Sequence, residues 1–263
     1  MPVLVDSRHS HKDMDYDGLE RSYWDAQIER VERLRAKIAT RASTAAGRVV
    51  PEDDDLEIGS GRRLPLTVMF IDISKFSHRT STTANEQELM LRVLNLFFTE
   101  MIRIIEEYGG TVEKNTGDGL MAYFENKADD AGGESAKRAV ACALTMTAAN
   151  EHLVSPVLRA TGVPPLEFRV TMDHGHLTIA RLGAPQRFNA NVAIGNTANF
   201  ASKMLSLVKA GEIGIGANAR NRLPLAWQTQ WTQLSPVSTG WNYGDTTTPY
   251  PLYIYTGRWS RLI

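Results

Sequence analysis

Between Leu66 and Phe124 the spacing of apolar positions changes period twice, and those changes predict the order of elements. Residues 66–71, Leu-Thr-Val-Met-Phe-Ile, form an almost unbroken apolar run that suits a central strand buried on both faces, with Asp72 emerging at its tip. From Ala84 to Tyr108 the apolar residues Leu89, Val93, Phe97, Met101 and Ile105 recur every fourth position, as on one face of a helix. Thr83 and Glu86 have the spacing of a capping box, and Gly109-Gly110 stops the helix. Residues 111–115 and 119–124 read as two strands joined by Gly117-Asp118-Gly119, which puts Asp118 at a hairpin tip. A second helical pattern covers 134–150 through Ala136, Val140, Leu144 and Thr147, and residues 151–165, with three prolines and a glycine, read as a loop. Leu166, Phe168, Val170 and Met172 then alternate with Glu167, Arg169 and Thr171 as in a strand with one buried face. The order is βαββαβ. It predicts an α+β fold of the ferredoxin-like kind, an antiparallel sheet with both helices on one face.

Beyond this core the pattern predicts a strand over 177–182, a helix over 197–208 ended by Ala210-Gly211, and a short strand over 212–215. Residues 1–63 are expected to be an N-terminal helical extension and linker, 64–220 the core, and 221–263 closing strands. In the extension, Trp24, Ile28, Val31, Leu34 and Ile38 make one apolar stripe, which needs either the core or a second subunit to lie against. Pro51-Glu-Asp-Asp-Asp55 reads as a solvated linker, since neighbouring side chains in an extended chain point in opposite directions. The C-terminal segment holds Trp227, Trp231, Trp241 and Trp259 with the alternating Leu252-Tyr-Ile-Tyr255; packing aromatics on strands are expected rather than a base-stacking platform.

Composition narrows the function classes. A chain of 263 residues, 43% hydrophobic and 22% charged, is that of an ordinary water-soluble protein. A net charge of -1 argues against a broad nucleic-acid footprint, although a local basic cleft can still hold a triphosphate. The single cysteine, Cys142, rules out a disulfide within the chain and reads as a small core residue. No apolar run approaches a membrane span, and the N-terminal residues, with His9 and His11, lack a secretory core, so a cytoplasmic location without membrane insertion is expected. Two carboxylates brought to one sheet edge repel unless a cation lies between them, and hard oxygen ligands favour Mg²⁺ or Mn²⁺. Spacing alone leaves the alternative open that Asp72 caps the next segment and Asp118 serves the turn. His174 and His176, with no further ligands nearby in sequence, are expected to be structural or phosphate-facing.

Three motifs, Phe70-Ile-Asp72-Ile-Ser-Lys-Phe76-Ser, Lys114-Asn-Thr-Gly117-Asp118-Gly-Leu-Met and Ile194-Gly-Asn-Thr197-Ala-Asn199-Phe-Ala-Ser-Lys203-Met, occur in the order found in class III nucleotidyl cyclases, and the chain resembles them over about residues 64–220. The resemblance implies that Asp72 and Asp118, with the backbone carbonyl of Ile73, hold two divalent cations per site, Mn²⁺ or Mg²⁺. It implies further that the backbone N–H groups of Lys75, Phe76 and Ser77 cradle the substrate phosphates, that Asn199 orients the ribose, and that Lys203 carries charge opposite the α-phosphate. The family usually has arginine at this last position; lysine keeps the charge but loses the planar two-pronged contact. Asn199 and Lys203, four apart, share a helix face. Relatives act as head-to-tail dimers with sites between subunits, and this chain carries both halves, so a homodimer is expected.

By the same resemblance Lys114 and Val192 are the base-contacting pair. Adenine-selective relatives retain such a lysine, but valine replaces the polar acceptor usually found at position 192. An unpaired buried amine costs roughly 1–3 kcal/mol, which disfavours bases carrying one, whereas uracil has carbonyl acceptors and no exocyclic amine. The chain therefore resembles the bacterial pyrimidine cyclases of antiphage signalling, implying conversion of UTP to 3′,5′-cyclic UMP read by a separate effector, with a purine cyclase or a catalytically silent nucleotide-binding module as the alternatives. No lysine follows Lys209, so the C-terminal phosphate lysine of many relatives is missing, and Arg181 or Arg187 is the expected substitute.

Overall fold

The computed structural model describes residues 20–40, 61–79, 82–115, 117–126, 134–184 and 188–259. In chain order the elements are α1 (Arg21–Thr40), β1 (Gly61–Ile73), α2 (Ala84–Glu107), β2 (Gly110–Asn115), β3 (Gly119–Glu125), α3 (Glu134–Ala149), α4 (Ser155–Ala160), β4 (Phe168–Ala184), β5 (Phe188–Ile194), α5 (Asn196–Met204), β6 (Ile213–Gly216), α6 (Ala217–Arg220), α7 (Leu225–Gln230), β7 (Thr232–Leu234) and β8 (Leu252–Tyr255). The sheet runs β2-β3-β1-β4-β6-β8-β7, with β5 paired to β4 off that path. Each neighbouring pair among its first four strands is antiparallel, as the βαββαβ order predicts.

β1 lies inside the sheet and alternates between two apolar clusters, which explains its unbroken hydrophobic run. Met69, Ile71 and Ile73 face α2 and α3 and join Phe97, Met101, Ile105 and Val140 in the main core. Leu66 and Val68 face the other way, against Met121, Leu177, Ile179 and Ala198 of α5. The helix stops and starts follow local chemistry. Thr83 Oγ1 accepts from the Glu86 N–H at 3.2 Å while the Glu86 carboxylate accepts from the Thr83 N–H at 2.9 Å. At the other end of α2, Arg138 donates to the carbonyls of Tyr108 and Gly109 at 3.1 and 3.0 Å, occupying helix-end acceptors that otherwise lack partners. Gly109 takes φ +67°, and a Cβ there would meet the Arg138 guanidinium at 2.6 Å.

Several expectations are corrected. Residues 150–154 form a π-helical turn that carries α3 into α4, so the loop begins only at Thr161. Pro156 follows directly on this π-helical turn, at the start of α4. The strands expected over 166–172 and 177–182 are one strand of 17 residues. Gly175 does not break it; a Cβ at that position would meet Thr197 Oγ1 at 2.3 Å, so the glycine admits α5 close to the sheet. β5 has no clear alternation, and only its pairing with residues 178–184 makes it a strand. At the C-terminus Trp227 is on a helical turn, α7, rather than a strand, and Trp231 is 43% exposed. Trp227 and Trp259 pack against the main core, and Trp241 stacks on Phe200 with centroids 4.9 Å apart.

α1 lies on α2 of the same chain, but its inward stripe is Trp24, Gln27 and Val31, whereas Ile28 is 36% exposed. Gln27 replaces Ile28 because the facing group is polar. Glu100 of α2, 1% exposed, accepts from Gln27 Nε2 at 3.0 Å and from Arg30 Nη2 at 3.1 Å, and Arg30 also pairs with Glu107 at 2.8 Å. The side chains of Leu34 and Ile38, and the linker at Pro51–Asp55, lie outside what the structure describes.

Candidate active site

Asp72 and Asp118 meet at one edge of the sheet. Asp72 stands opposite Gly119 in the β1–β3 register, and the Ile73 N–H donates to the Asp118 carbonyl at 2.9 Å, pinning the hairpin tip to the end of β1. Alternation puts the Asp72 side chain on the α5 face, while Ile73 is buried in the main core, so only its backbone is free to serve a ligand. Arg169 stands opposite Asp72 in β4 and donates Nε and Nη2 to Asp72 Oδ2 at 2.9 and 2.7 Å. Both side chains are partly exposed, at 29% for Arg169 and 20% for Asp72. In sequence Arg169 is the solvent-facing member of an alternating strand, and only its register with Asp72 marks it.

Among the described residues no cluster of three or more His, Cys, Asp or Glu side chains could hold a metal alone. Two acidic residues brought to one sheet edge nonetheless suit a hard divalent cation that takes its remaining oxygens from water and substrate phosphates. The class III cyclases that the chain resembles use divalent metals.

The turn after β1 has an unusual backbone. Lys75 is the one non-glycine residue with positive φ among the described residues, at φ 57° and ψ 27°, and it leads into a tight turn over Phe76–His78. A left-handed residue followed by right-handed turn residues directs successive N–H groups into one concavity, a shape suited to anions. The N–H groups of Lys75, Phe76 and Ser77 make no hydrogen bond among the described residues, whereas those of His78 and Arg79 close the turn on Lys75 and Phe76 carbonyls at 3.1 and 2.9 Å. The Phe76 side chain packs against the main core, leaving its backbone for any ligand.

On α5, Thr197, Ala198, Ala201 and Met204 are buried toward the sheet, and Asn199 and Lys203 lie one turn apart on the exposed face. The helix, about 10 Å across with its side chains, stands between that pair and the sheet. Asn199 and Lys203 are thus presented outward, and no hydrogen bond or ion pair among the described residues joins them to Asp72 or Asp118. For Lys114 and Val192 the structure describes the backbone. They lie on β2 and β5, and the neighbours of each are joined by a bond from Ala193 N–H to Glu113 Oε1 at 3.1 Å. Arg187 and the Arg181 side chain lie outside the described residues.

Two buried titratable groups lie on β4, and of these Asp173 carries no clear signal in the sequence pattern. Asp173, on the α5 face, accepts from Tyr250 Oη at 2.8 and 2.7 Å and from the His174 and Ala219 N–H groups at 2.8 and 3.3 Å. Burial pushes its carboxyl up to about 7, against the pull of those donors. His174, on the opposite face, holds Thr67 Oγ1 at 2.9 Å through Nδ1, and burial, with the charges of Arg222 and His176, pushes it down to about 4. His174 is therefore a structural histidine beneath α3.

The comparisons with known proteins agree with this geometry. The adenylate and guanylate cyclase catalytic-domain family matches residues 60–240, more than half of the chain, and the chain belongs to that family. An adenylate cyclase of Anabaena cylindrica is 26% identical over 159 residues, 59% of this chain and 30% of the relative. An uncharacterised Mycobacterium tuberculosis protein is 26% identical over 223 residues, 84% of this chain and 36% of the relative. The chain thus spans about a third of the length of these curated relatives. Among solved structures, the adenylyl cyclase CyaB from P. aeruginosa superposes with a TM-score of 0.62 at 26% identity, over 78% of this chain and all of that one (100%). The guanylyl cyclase Cya2 superposes with a TM-score of 0.60 at 23% identity, over 77% of this chain and 98% of that one, a likeness of fold. The protein is a nucleotidyl cyclase catalytic domain with a mixed α+β sheet. No helix among the described residues is long and apolar enough to cross a membrane.

Proposed function

We propose that this chain cyclises UTP to 3′,5′-cyclic UMP with release of pyrophosphate, and that the product is a messenger of antiviral (phage) defence read by a separate effector. In the reaction the ribose 3′-hydroxyl attacks the α-phosphorus and the bond to the β-phosphate oxygen breaks, so pyrophosphate leaves with its electron pair. Asp72 and Asp118, with the Ile73 carbonyl, would hold Mn²⁺ or Mg²⁺, which supplies an acidified hydroxyl and charge neutralisation for the leaving group. Arg169 partly neutralises Asp72 and adds a guanidinium at the same edge, which suits a departing pyrophosphate. The Lys75–Ser77 N–H groups cradle the terminal phosphates.

Cyclase domains of this family bind nucleoside triphosphates and act as dimers. The outward placement of Asn199 and Lys203 supports a site completed across a homodimer, where they orient the ribose and offset α-phosphate charge facing the partner's carboxylates. The base assignment rests on one observation: Val192, which offers no acceptor, is on a strand held beside that of Lys114. Lys114 suits a uracil carbonyl, and valine tolerates a ring edge without an amine. The named adenylate cyclase relative and the retained Lys114 favour ATP as the second reading.

The test is incubation of the purified chain with Mn²⁺ and each of the four ribonucleoside triphosphates, with products identified by mass. Cyclic UMP as the main product supports the assignment, whereas cyclic CMP, whose base carries an exocyclic amine, keeps a pyrimidine substrate but refutes the Val192 argument for uracil. Cyclic AMP or GMP refutes the pyrimidine assignment.

A further inference from the structure

Lys114 and Val192 belong to strands that are not partners: β2 ends the sheet on one side, and β5 pairs with β4 alone. Two features of the chain bring the residues beside them together. First, β2 carries a bulge, with Val112 opposite Ala122 and Lys114 opposite Met121, so that Glu113 is the extra residue. Val112 packs against the main core, whereas Met121 belongs to the cluster on the α5 face. In an unbroken strand of period two, positions 112 and 114 would share a face; the bulge instead sets position 114 opposite Met121, a residue of the α5-face cluster. Second, Glu113 Oε1 accepts the Ala193 N–H at 3.1 Å. Ala193 itself packs on the α5-face cluster. Glu113 adjoins Lys114, and Ala193 adjoins Val192. One half-buried carboxylate thus ties the β4–β5 hairpin to the β2–β3 hairpin through a charge-assisted bond.

We propose that Glu113 is a positioning residue for base selection, clamping β5 onto β2 so that positions 114 and 192 stand at a fixed separation; this rests on the base-contact part of the proposed function. The clamp acts on the base end of the nucleotide. The phosphate turn at Lys75–Ser77 follows β1, a strand that pairs with neither β2 nor β5.

The full chain, as wild type, Glu113→Ala, Glu113→Gln and Ala193→Pro, is titrated by calorimetry with Mn²⁺ and the 3′-deoxy forms of the four nucleoside triphosphates. These lack the attacking hydroxyl, so binding is read without turnover. Inorganic triphosphate is the base-free control, and thermal unfolding reports folding. For Glu113→Ala the affinity for the preferred base falls about tenfold, the size of one charged hydrogen bond, while inorganic triphosphate binding is unchanged. Ala193→Pro deletes the same N–H from the other hairpin and shows the same loss, and Glu113→Gln, which keeps an acceptor oxygen, retains most of the preference. The proposal is overturned if Glu113→Ala or Ala193→Pro keeps the wild-type spacing of affinities, if nucleotides and inorganic triphosphate weaken alike, or if the wild type discriminates among no bases. A wild type that forms cyclic AMP or GMP removes the UTP assignment alone, and the Glu113 comparison is then read around the purine that binds most tightly.

Discussion

Replacing Asp173 by Asn tests the energetics of the α5 face through its pH dependence. The folded carboxyl titrates at about 7 against an ordinary value of 3.8, so between those values the folded state holds a proton that the unfolded state has lost. Stability contributed at this site is therefore greatest at low pH, declines as pH rises through that window, and is level above it. At about 1.4 kcal/mol per unit, the decline between pH 5 and pH 8 covers the two units from 5 to 7, or about 3 kcal/mol. His174 acts in the opposite sense, because its folded value of about 4 lies below the ordinary 6.5, and stability from it rises as pH rises between the two. Wild-type stability alone therefore mixes two slopes. The difference between Asp173→Asn and wild type removes the histidine contribution, since both proteins carry it. Asn keeps an acceptor for the His174 and Ala219 N–H groups and cannot ionise. Urea unfolding at pH 5, 6, 7 and 8 should show the variant gaining about 3 kcal/mol relative to wild type across the series. A gap that does not change with pH refutes the argument and means that Tyr250 and the two N–H groups fully support the ionised carboxylate. Activity has a stake in the answer, since Tyr250 and Trp241 both pack on Phe200, the neighbour of Asn199.

Asp72→Ala should abolish cyclic nucleotide formation while the variant still unfolds cooperatively in urea; retained turnover sinks the metal-site assignment. Mixing inactive Asp72→Ala with inactive Asn199→Ala should restore about a quarter of wild-type activity, because half of the dimers are mixed and each of these has one of two sites intact. No recovery on mixing argues against a shared site. Arg30→Met leaves Glu100 buried without its cation and should cost about 3 kcal/mol in urea unfolding, against well under 1 for the exposed Arg103→Met. Thr83→Ala removes one half of the capping box and should cost about 1 kcal/mol by the same assay.

Features that the chain specifies within a few residues are legible in its sequence. Period and caps define α2, because Thr83, Glu86 and Gly109 act on their own helix. Turn chemistry places Asp118 at a hairpin tip, and the βαββαβ order implies the antiparallel order β2-β3-β1-β4. The motifs around Asp72, Asp118 and Asn199 point to the cyclase family that the match over residues 60–240 establishes. What the chain does not announce depends on partners distant in sequence. Gln27 looks like a surface residue until Glu100 is seen opposite it, 73 positions away. Arg169 gains meaning only from its register with Asp72, 97 positions away. Gly175 punctuates the sequence but in space makes room for Thr197, so it reads as a break and is a contact. The bulge at Glu113 turns on which residues of β3 oppose β2, a choice set by packing on both faces of the sheet. Hydrophobic period, caps and turns are short-range properties and determine which elements form. Strand register, buried polar partners and the approach of two hairpins are long-range properties, and tertiary structure alone decides them.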